Sequence, residues 1–302
     1  MTDLALEHDE LRPLMFSIAY RMLGSVSEAE DVVQDAFLRI HRSITDGTAL
    51  DNPEAYATTV TTRVAIDTLR SARARRESYV GPWLPEPILD DDADPAHRIE
   101  LGETVTAAFL VVLEKLSPVE RAVFLLREVF AYDYAEIAAI VDKSEANCRQ
   151  LLVRAKRHLE AEQPQLAPAE RQDELANAFF AAIERGELES LEQLLAEDAT
   201  FYGDGGGKAP AVRVPVTGSG AVARFLFGLL RQGKRLDVRL DRTRANGQPA
   251  MILRTGDDLV LGVLTLDIGD DAVTALRNQI NPDKLQHLGE VGDMIALLSQ
   301  PR

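Results

Sequence analysis

The stretch YAEIAAIVDKSEANCRQLLVRAKRHL, residues 134–159, has the pattern of two helices joined by a short turn. Small or apolar residues occupy the face of the first helix that would be buried, namely Ala135, Ile137 and Ala138. The second helix starts at a polar cap and carries basic residues on its outer side. The pattern predicts a helix-turn-helix, and an ordinary helical hairpin is the alternative.

The first 80 residues contain three more helical patterns. Apolar residues recur at helical spacing over residues 11–22. A second helix is expected to begin at Ser27, because Glu30 three residues later completes a capping box. A third helix is expected over about residues 53–76, since the proline at its start suits a first helical turn.

The second half of the chain has the pattern of a small α+β domain. Residues 160–171 are polar and contain two prolines, which predicts a domain boundary. Two helices are expected after it, then a glycine-rich loop, another helix and a meander of four or five strands separated by turn signals. A last helix is expected within residues 283–298.

The charge is distributed unevenly. The net charge of −16 argues at first against a nucleic-acid partner. Residues 63–76 and 143–157, however, each hold five Arg or Lys residues against one acidic residue. Since the local field decides phosphate binding, two such segments favour phosphate contacts, whereas one alone is typical of a solvated helix face.

Composition also limits the class of protein. No apolar stretch approaches the ~18–20 residues that span a bilayer, and the N-terminus lacks the pattern of a signal peptide. We therefore expect a cytoplasmic protein with no membrane contact. The single cysteine, Cys148, excludes an intramolecular disulfide and a cysteine metal cluster, and we expect a buried thiol there. No metal site and no cofactor is expected.

Residues 81–87, GPWLPEP, contain Trp83, the single tryptophan of the chain, and three prolines. Proline fixes φ and removes an amide donor, so this segment can be neither a helix interior nor a central strand. Because an exposed indole would leave a large apolar surface in water, Trp83 is expected to pack against another part of the protein.

Several stretches resemble known families. Residues 19–43, AYRMLGSVSEAEDVVQDAFLRIHRS, resemble region 2 of the extracytoplasmic-function sigma factors, and CRQLLVRAKRHL at 148–159 resembles their region 4. The second half is similar to SnoaL-like domains. WLPEP at 83–87, DGGGK at 204–208 and NPDKL at 281–285 resemble the signatures of sigma factors fused to such a domain, the SigJ-like group.

The resemblance implies a multidomain chain with two all-α sigma domains followed by an α+β cone. Its parts would be region 2 at residues 1–80, a linker at 81–95, region 4 at 96–162 and a SnoaL-like regulatory domain at 168–302. Such a protein directs promoter-specific transcription initiation and is not an enzyme. A SnoaL-like isomerase or hydrolase with a fused DNA-binding half is one alternative, and a helix-turn-helix repressor is another.

The resemblance also implies partners and site residues. The clamp of the β-type subunit of core RNA polymerase would bind Glu30, Asp31, Gln34, Asp35 and Arg39. The −10 promoter element would be bound by Asn52, Thr62, Arg63, Ile66, Asp67, Arg70, Arg73, Arg75 and Arg76, with the loop at 45–52 as a pocket for a flipped base. The −35 element would be bound by Ser144, Glu145, Asn147, Arg149, Gln150, Arg154, Lys156 and Arg157.

The three motifs would form a regulatory contact between domains, so that no separate anti-sigma protein is required. Their residues are Trp83, Leu84, Pro85, Glu86, Pro87, Asp204, Gly205, Gly206, Gly207, Lys208, Asn281, Pro282, Asp283, Lys284 and Leu285. Our hypothesis is that Trp83 docks on the SnoaL-like domain near DGGGK or NPDKL, and the alternative is that it packs on region 2. If the domain were an enzyme, its base would be sought among Asp204, Asp237, Asp241 and Asp267, none of which lies in a motif of an enzymatic member. A small-molecule ligand of the domain is left open.

Overall fold

The computed structural model describes residues 4–47, 50–76, 78–90, 105–160 and 166–299. These residues form two compact units. The N-terminal unit comprises the described residues of Met1–Ser78, Asp92–Val105 and Phe109–Gln163. The C-terminal unit comprises those of Tyr79–Asp91, Thr106–Ala108 and Pro164–Arg302. The linker segment that carries Trp83 therefore folds with the C-terminal unit.

Helices build the N-terminal unit in its described part. They are α1 (Leu4–Leu23), α2 (Val26–Thr45), α3 (Pro53–Arg76), α4 (Ala107–Leu113), α5 (Pro118–Glu128), α6 (Tyr134–Val141) and α7 (Glu145–Glu160), of which α4 belongs to this unit from Phe109 on. Residues 91–104 lie outside the described ranges, and α4 is the helix described between the linker and α5. The first three helices pack on one another, and α3 also packs against α5 and α6.

The start of α2 differs from the prediction. Ser25 is the N-cap, and its hydroxyl accepts a hydrogen bond from the Glu28 amide at 3.1 Å. The capping box expected from Ser27 and Glu30 is wrong by two residues, because Gly24 adopts a left-handed φ of 66° and turns the chain into the helix there.

The predicted helix-turn-helix is formed by α6 and α7. Asp133 and Glu136 make a capping box at the start of α6. Asp142 ends the helix with a left-handed φ of 53°, which reverses the chain toward α7 within three residues. The buried side chains of this hairpin include Ile137, Ile140 and Cys148.

The C-terminal unit combines a six-stranded sheet with helices. Its elements are α8 (Ala169–Arg185), α9 (Leu188–Leu194), β1 (Leu195–Asp204), β2 (Val216–Thr217), α10 (Ser219–Arg235), β3 (Arg239–Ala245), β4 (Gln248–Arg254), β5 (Val260–Ile268), β6 (Val273–Gln279) and α11 (Met294–Leu298). The strand order is β2-β1-β6-β5-β4-β3, with β1 and β6 parallel and the other neighbours antiparallel.

The two faces of this sheet are covered by different parts of the chain. Alternate residues of a strand point to opposite faces. One face, which includes the register partners Phe201 and Leu276, forms an apolar core with α8, α9 and α10. The other face, which includes the register partners Ile252 and Val263, packs against Leu89 and Leu285. The linker and the NPDKL motif thus share the face opposite the helices.

The helix predicted within residues 283–298 is largely wrong. Two 3₁₀ turns, Pro282–Lys284 and Gln286–Leu288, are followed by Gly289 with a φ of 129°, and only Met294–Leu298 is α-helical. Val291 forms a parallel bridge to Val260 at the sheet, which replaces helical hydrogen bonds in this segment.

Candidate functional site

The outer face of α7 carries exposed side chains at the positions predicted to read the −35 element. Arg149 lies 4.6 Å from the Tyr134 ring centroid and pairs with Glu145 at 2.8 Å. Gln150 is exposed and Asn147 is half-buried. The Asn147 amide donates to the Ser144 hydroxyl at 3.2 Å, so Ser144 caps the first turn of the helix.

The basic residues further along α7 are exposed as well. Arg154 lies 3.6 Å from Glu120, and Lys156 lies 2.8 Å from Glu128. Such partly exposed ion pairs exchange readily for phosphate contacts, because they contribute little to stability. Arg157 is also exposed on this helix. On the opposite side Cys148 is buried, as predicted, and burial raises the pKa of its thiol.

The side chain of Arg63 on α3 is held by the end of α6. Its Nη2 donates to the carbonyl oxygen of Ala139 at 2.8 Å, and its Nε donates to that of Ile140 at 2.9 Å. Carbonyl oxygens at a helix C-terminus lack helical partners and carry partial negative charge, which favours a guanidinium there. A side chain predicted to contact the −10 element is therefore engaged within the protein.

Two further residues predicted to contact the −10 element lie in the interior of the N-terminal unit. Thr62 and Ile66 are buried, because α3 is covered by α5 and α6 in addition to α1 and α2. The base contacts expected of them stay predictions, and each would need this cover to move. Asp67 and Arg70, by contrast, are exposed and pair with each other at 2.9 Å. The Asn52 side chain is occupied in capping α3, where it accepts from the Ala55 amide at 3.0 Å.

Arg76 has a structural position rather than a free phosphate-binding one. Its guanidinium donates to the Leu23 carbonyl at 2.6 Å, forms an ion pair with Glu114 and lies 3.7 Å from Glu28. The phosphate contact predicted for Arg76 stays a prediction, and it would require the guanidinium to leave these partners. The side chains of Arg73 and Arg75, and residue Thr48 of the proposed base pocket, lie outside the described part of the chain.

A shallow cavity of about 450 Å³ opens on α2, where the polymerase-binding residues were predicted. Glu30, Asp31 and Gln34 line it. Asp35 and Arg39 are exposed on the same helix and pair at 3.2 Å. Sequence reasoning missed Leu38, which also lines the cavity and is 47% exposed. The sequence signal for Leu38 was an apolar residue on the polar face of an amphipathic helix.

The motif residues meet in the C-terminal unit around Asp204. This carboxylate is fully buried at the end of β1, and its Oδ2 lies 2.7 Å from the Lys284 ammonium. The Leu84 amide donates to the same oxygen at 2.8 Å, and Lys284 donates to the Leu84 carbonyl at 2.6 Å. Each of the three motifs thus contributes one residue to this site, since Asp204 and Lys284 form a buried ion pair and Leu84 supplies the linker backbone that it encloses.

Aromatic rings cover this ion pair. The Lys284 Nζ lies 4.4 Å from the centroid of the Trp83 ring and 4.8 Å from that of the Tyr79 ring. The Tyr79 hydroxyl donates to Asp204 at 2.6 Å and accepts from Asn281 at 2.8 Å. Burial, together with the Asp204 carboxylate, raises the pKa of Tyr79 above its usual range, so that its hydroxyl keeps the donated proton.

More of the linker is fastened by side chains that sequence reasoning missed. Gln279 donates to the carbonyl oxygens of Leu84 and Pro85, at 3.2 Å each. His287 is 2.7 Å from the Pro87 carbonyl oxygen. Further along the chain, the Ala107 amide donates to Gln248 at 3.0 Å, also within the C-terminal unit. None of these residues stands out as part of a motif in the sequence. For Gln279 alone there was a signal, since it lies two residues before the NPDKL motif.

The glycines of DGGGK permit close backbone approach. Gly206 has a φ of +57°, and its backbone amide donates to the Asp204 carboxylate at 3.0 Å. A Cβ at this position would collide with the side-chain nitrogen Nδ2 of Asn281. A larger residue at this position would therefore be strained and would collide with the motif it faces. Lys208 instead points outward and forms an exposed pair with Asp283 at 2.5 Å.

The candidate bases do not meet in one cavity. Asp267 is buried and pairs with Arg277 at 2.7 Å, on the same sheet face as Asp204. Asp241 pairs with Arg239 at 3.0 Å at the surface, and Asp237 is exposed. None of these four residues lines the cavity on the helix-covered face of the sheet.

Comparison with known families agrees with this architecture. Residues 8–75 match the Sigma-70 region 2 model, 106–159 the Sigma-70 region 4 model and 176–259 the SnoaL-like domain model. The chain is 38% identical over 290 residues to the ECF RNA polymerase sigma factor SigJ of Mycobacterium tuberculosis (strain ATCC 25618 / H37Rv), with 92% of each chain covered. The chain belongs to the extracytoplasmic-function (ECF) sigma factors.

One further relative and one solved structure support the assignment of this chain to the sigma factors. The chain is 31% identical over 281 residues to a probable ECF sigma factor SigI of M. tuberculosis, which covers 92% of this chain and 93% of that protein. The crystal structure of M. tuberculosis SigJ superposes with a TM-score of 0.76 and 34% identity, covering 94% of this chain and 98% of that one. The predicted fold class, helical sigma domains followed by a SnoaL-like domain, is confirmed. Over the described ranges, no helix combines the length and apolar character needed to cross a membrane.

Proposed function

We propose that this sigma factor directs RNA polymerase to promoters and that its own C-terminal unit controls initiation by holding the linker between regions 2 and 4. The observation that carries the proposal is the buried ion pair of Asp204 and Lys284. It encloses the Leu84 backbone and lies under Trp83. Both of its members, and the linker they hold, belong to the three motifs.

Promoter recognition at −35 is assigned to the outer face of α7. The exposed Arg149 suits the O6 and N7 acceptors of a guanine, and Gln150 or Asn147 suits an adenine. Arg154, Lys156 and Arg157 would bind phosphates. The side chains of Arg154 and Lys156 are themselves exposed, although Glu120, the partner of Arg154, is buried, so releasing these two cations to DNA costs little.

Recognition at −10 requires a change within the N-terminal unit. Arg63 can reach a phosphate only after it leaves the carbonyl oxygens of Ala139 and Ile140. Thr62 and Ile66 must likewise lose their cover before a base can contact them. The free protein is therefore expected to bind promoter DNA weakly, and binding of core polymerase would supply the free energy for the rearrangement.

The cavity on α2 is proposed to bind the clamp of the β-type polymerase subunit. Asp31 and Asp35 offer exposed carboxylates to a basic partner, which would orient the complex, while Leu38 offers exposed apolar area in the cavity lining. This division is common in protein interfaces, where apolar side chains contribute affinity and charged rims contribute orientation.

The regulatory contact is proposed to act through the length of free linker. Residues 79–90 and 106–108 both belong to the C-terminal unit, so the chain is held where it leaves region 2 and again where it enters region 4. Holding both ends limits how the two promoter-binding domains move apart. Because the holding domain is part of the same chain, its effective concentration is high and no separate anti-sigma protein is required.

Run-off transcription with core polymerase tests this role. The full-length protein is compared with Lys284→Met, which removes the buried cation, and with Lys208→Met, which removes an exposed one from the adjacent motif. A severalfold change in transcript for Lys284→Met alone supports control by the linker contact, and its sign tells whether the contact inhibits or is required. Equal transcript from all three proteins contradicts the proposal. A chain ending near Pro168 then reports the effect of the whole C-terminal domain.

We propose a regulatory rather than a catalytic role for the SnoaL-like domain. Asp204 and Asp267, its buried carboxylates named above, are engaged in ion pairs with Lys284 and Arg277 on the face that holds the linker. A general base has to face its substrate within hydrogen-bonding distance. Turnover of a small molecule by the purified protein, lost on removal of either carboxylate, would contradict this assignment.

A further inference from the structure

A cavity of about 120 Å³ lies inside the C-terminal unit, between the helix-covered face of the sheet and α10. Phe201 and Phe225 form part of its wall, with ring centroids 5.0 Å apart and planes at 64°. Leu253 contributes a further apolar surface from β4. Met294 of α11 and the loop around Ala211 line the cavity as well. Its lining in the described chain is mostly apolar.

Two polar side chains lie in this wall, Gln232 on α10 and Asn278 on β6. Gln232 is exposed, whereas Asn278 is buried. The Asn278 side chain lines the cavity and is 9% exposed, and its Oδ1 is buried without a hydrogen-bond partner among the described residues. Buried polar side-chain atoms are nearly always hydrogen-bonded, because leaving them unpaired is costly. The Oδ1 of Asn278 is an acceptor of this kind, left unpaired by the described residues. Its position therefore points to a ligand.

We propose that this cavity binds a small, neutral, ring-sized molecule that carries one hydroxyl group, and that the Asn278 carboxamide is its hydrogen-bonding partner. A hydroxyl both donates and accepts, so it can pair with the amide oxygen or the amide nitrogen. The volume fits a single ring, since an apolar cavity of about 150 Å³ binds benzene. Among the described lining residues there is no Lys, Arg or His, so a carboxylate or phosphate on the ligand would find no counter-charge.

The position of the cavity relates it to the linker contact. Gly203 and Asn278 are register partners on β1 and β6, and both line the cavity. The next pair in the register is Asp204 and Gln279, which hold the Leu84 backbone from the opposite face of the sheet. If the linker is regulated as proposed above, a bound molecule would lie one residue from the groups that hold it. Binding itself does not depend on that proposal.

Isothermal titration of the full-length protein with p-cresol and with toluene tests the site. The two molecules share a ring and a methyl group, and only p-cresol has a hydroxyl. We expect p-cresol to bind the parent about tenfold more tightly than toluene, the ratio one hydrogen bond contributes. Asn278→Leu should abolish that preference by weakening p-cresol and leaving toluene unchanged or tighter. Asn177→Leu, the same change at an exposed position of α8, should behave as the parent does.

A second variant separates loss of the site from loss of the fold. Ala211→Leu places extra side-chain volume in the cavity lining and should abolish binding of both molecules, while thermal unfolding shows that the protein is folded. Three results would each overturn the proposal. They are the absence of saturable binding of p-cresol to the parent at millimolar concentration, equal affinity of the parent for both molecules, and an unchanged preference in Asn278→Leu.

Discussion

Replacing Lys284 with methionine tests the ion pair that holds the linker. Methionine keeps most of the side-chain volume and removes the charge. Asp204 then stays fully buried without its cation, although Tyr79 and the amides of Leu84 and Gly206 still donate to it. Removing one partner of a buried pair costs about 3–5 kcal/mol, and we expect the lower end of that range because of the remaining donors.

Two smaller losses add to this. The ammonium lies over the rings of Trp83 and Tyr79, and each such cation–π contact contributes about 0.5–1 kcal/mol. The free energy of unfolding of the C-terminal unit should therefore fall by about 4 kcal/mol. Lys208→Met is the matched control, because its pair with Asp283 is 57% and 52% exposed and should be worth about 0–1 kcal/mol.

Urea unfolding followed by tryptophan fluorescence measures both changes. Trp83 is the single tryptophan, so its emission reports directly on the segment that Lys284 holds. The reasoning is refuted if Lys284→Met lowers the free energy of unfolding by no more than Lys208→Met does. It is also refuted if the emission maximum of folded Lys284→Met equals that of the parent. The ammonium that lies 4.4 Å from the centroid of the Trp83 ring would then have no effect on the emission of the indole.

Three further predictions concern other parts of the molecule. Gly206→Ala should destabilise the C-terminal unit by more than about 1 kcal/mol, and by clearly more than Gly247→Ala. Both glycines have a positive φ, but only a Cβ at residue 206 would collide with its neighbours. Chemical unfolding measures the stability of both variants. Burial alone would raise the pKa of Glu114, but the Arg side chains next to it lower that pKa below the ordinary glutamate value. The contribution of Glu114 to stability is therefore complete above the ordinary glutamate pKa and is lost as the pH falls through the lowered value. Glu114→Gln should flatten the acid limb of a stability–pH curve, and an unchanged limb would contradict this. Arg149→Ala should change −35 sequence preference, whereas Arg157→Ala should weaken binding to all sequences and reduce its salt dependence in filter-binding titrations with holoenzyme; equal losses on matched and mismatched promoters for both would show that α7 is not the reader.

Much of the helical half was predictable from local sequence. The apolar stripe of α2 and the polar turn between α6 and α7 are visible in the order of residues, because helical periodicity is a local property. The cap of α2 was not, since Ser25 and Ser27 both suit the pattern and the left-handed turn at Gly24 decides between them. The last helix was overestimated because bridging to the sheet at Val291 overrides helical propensity there.

The availability of the −10 residues could not be predicted from sequence. A helical pattern shows that Thr62, Arg63 and Ile66 belong to one helix. It does not show that α5 and α6 cover that helix from a second side. Burial by elements distant in sequence depends on packing between helices, for which the local pattern holds no information.

The sequence by itself determined the order of the domains, the helix-turn-helix and the three motifs, because each is encoded in neighbouring residues. Only the tertiary structure decided that Asp204 pairs with Lys284, 80 positions away, and that Leu84 is enclosed between them. It also placed Asn278 in an apolar cavity on one face of β6 and Gln279 against the linker on the other. The physical reason is the register of β1 with β6, since alternation along paired strands sends adjacent residues to opposite faces of the sheet.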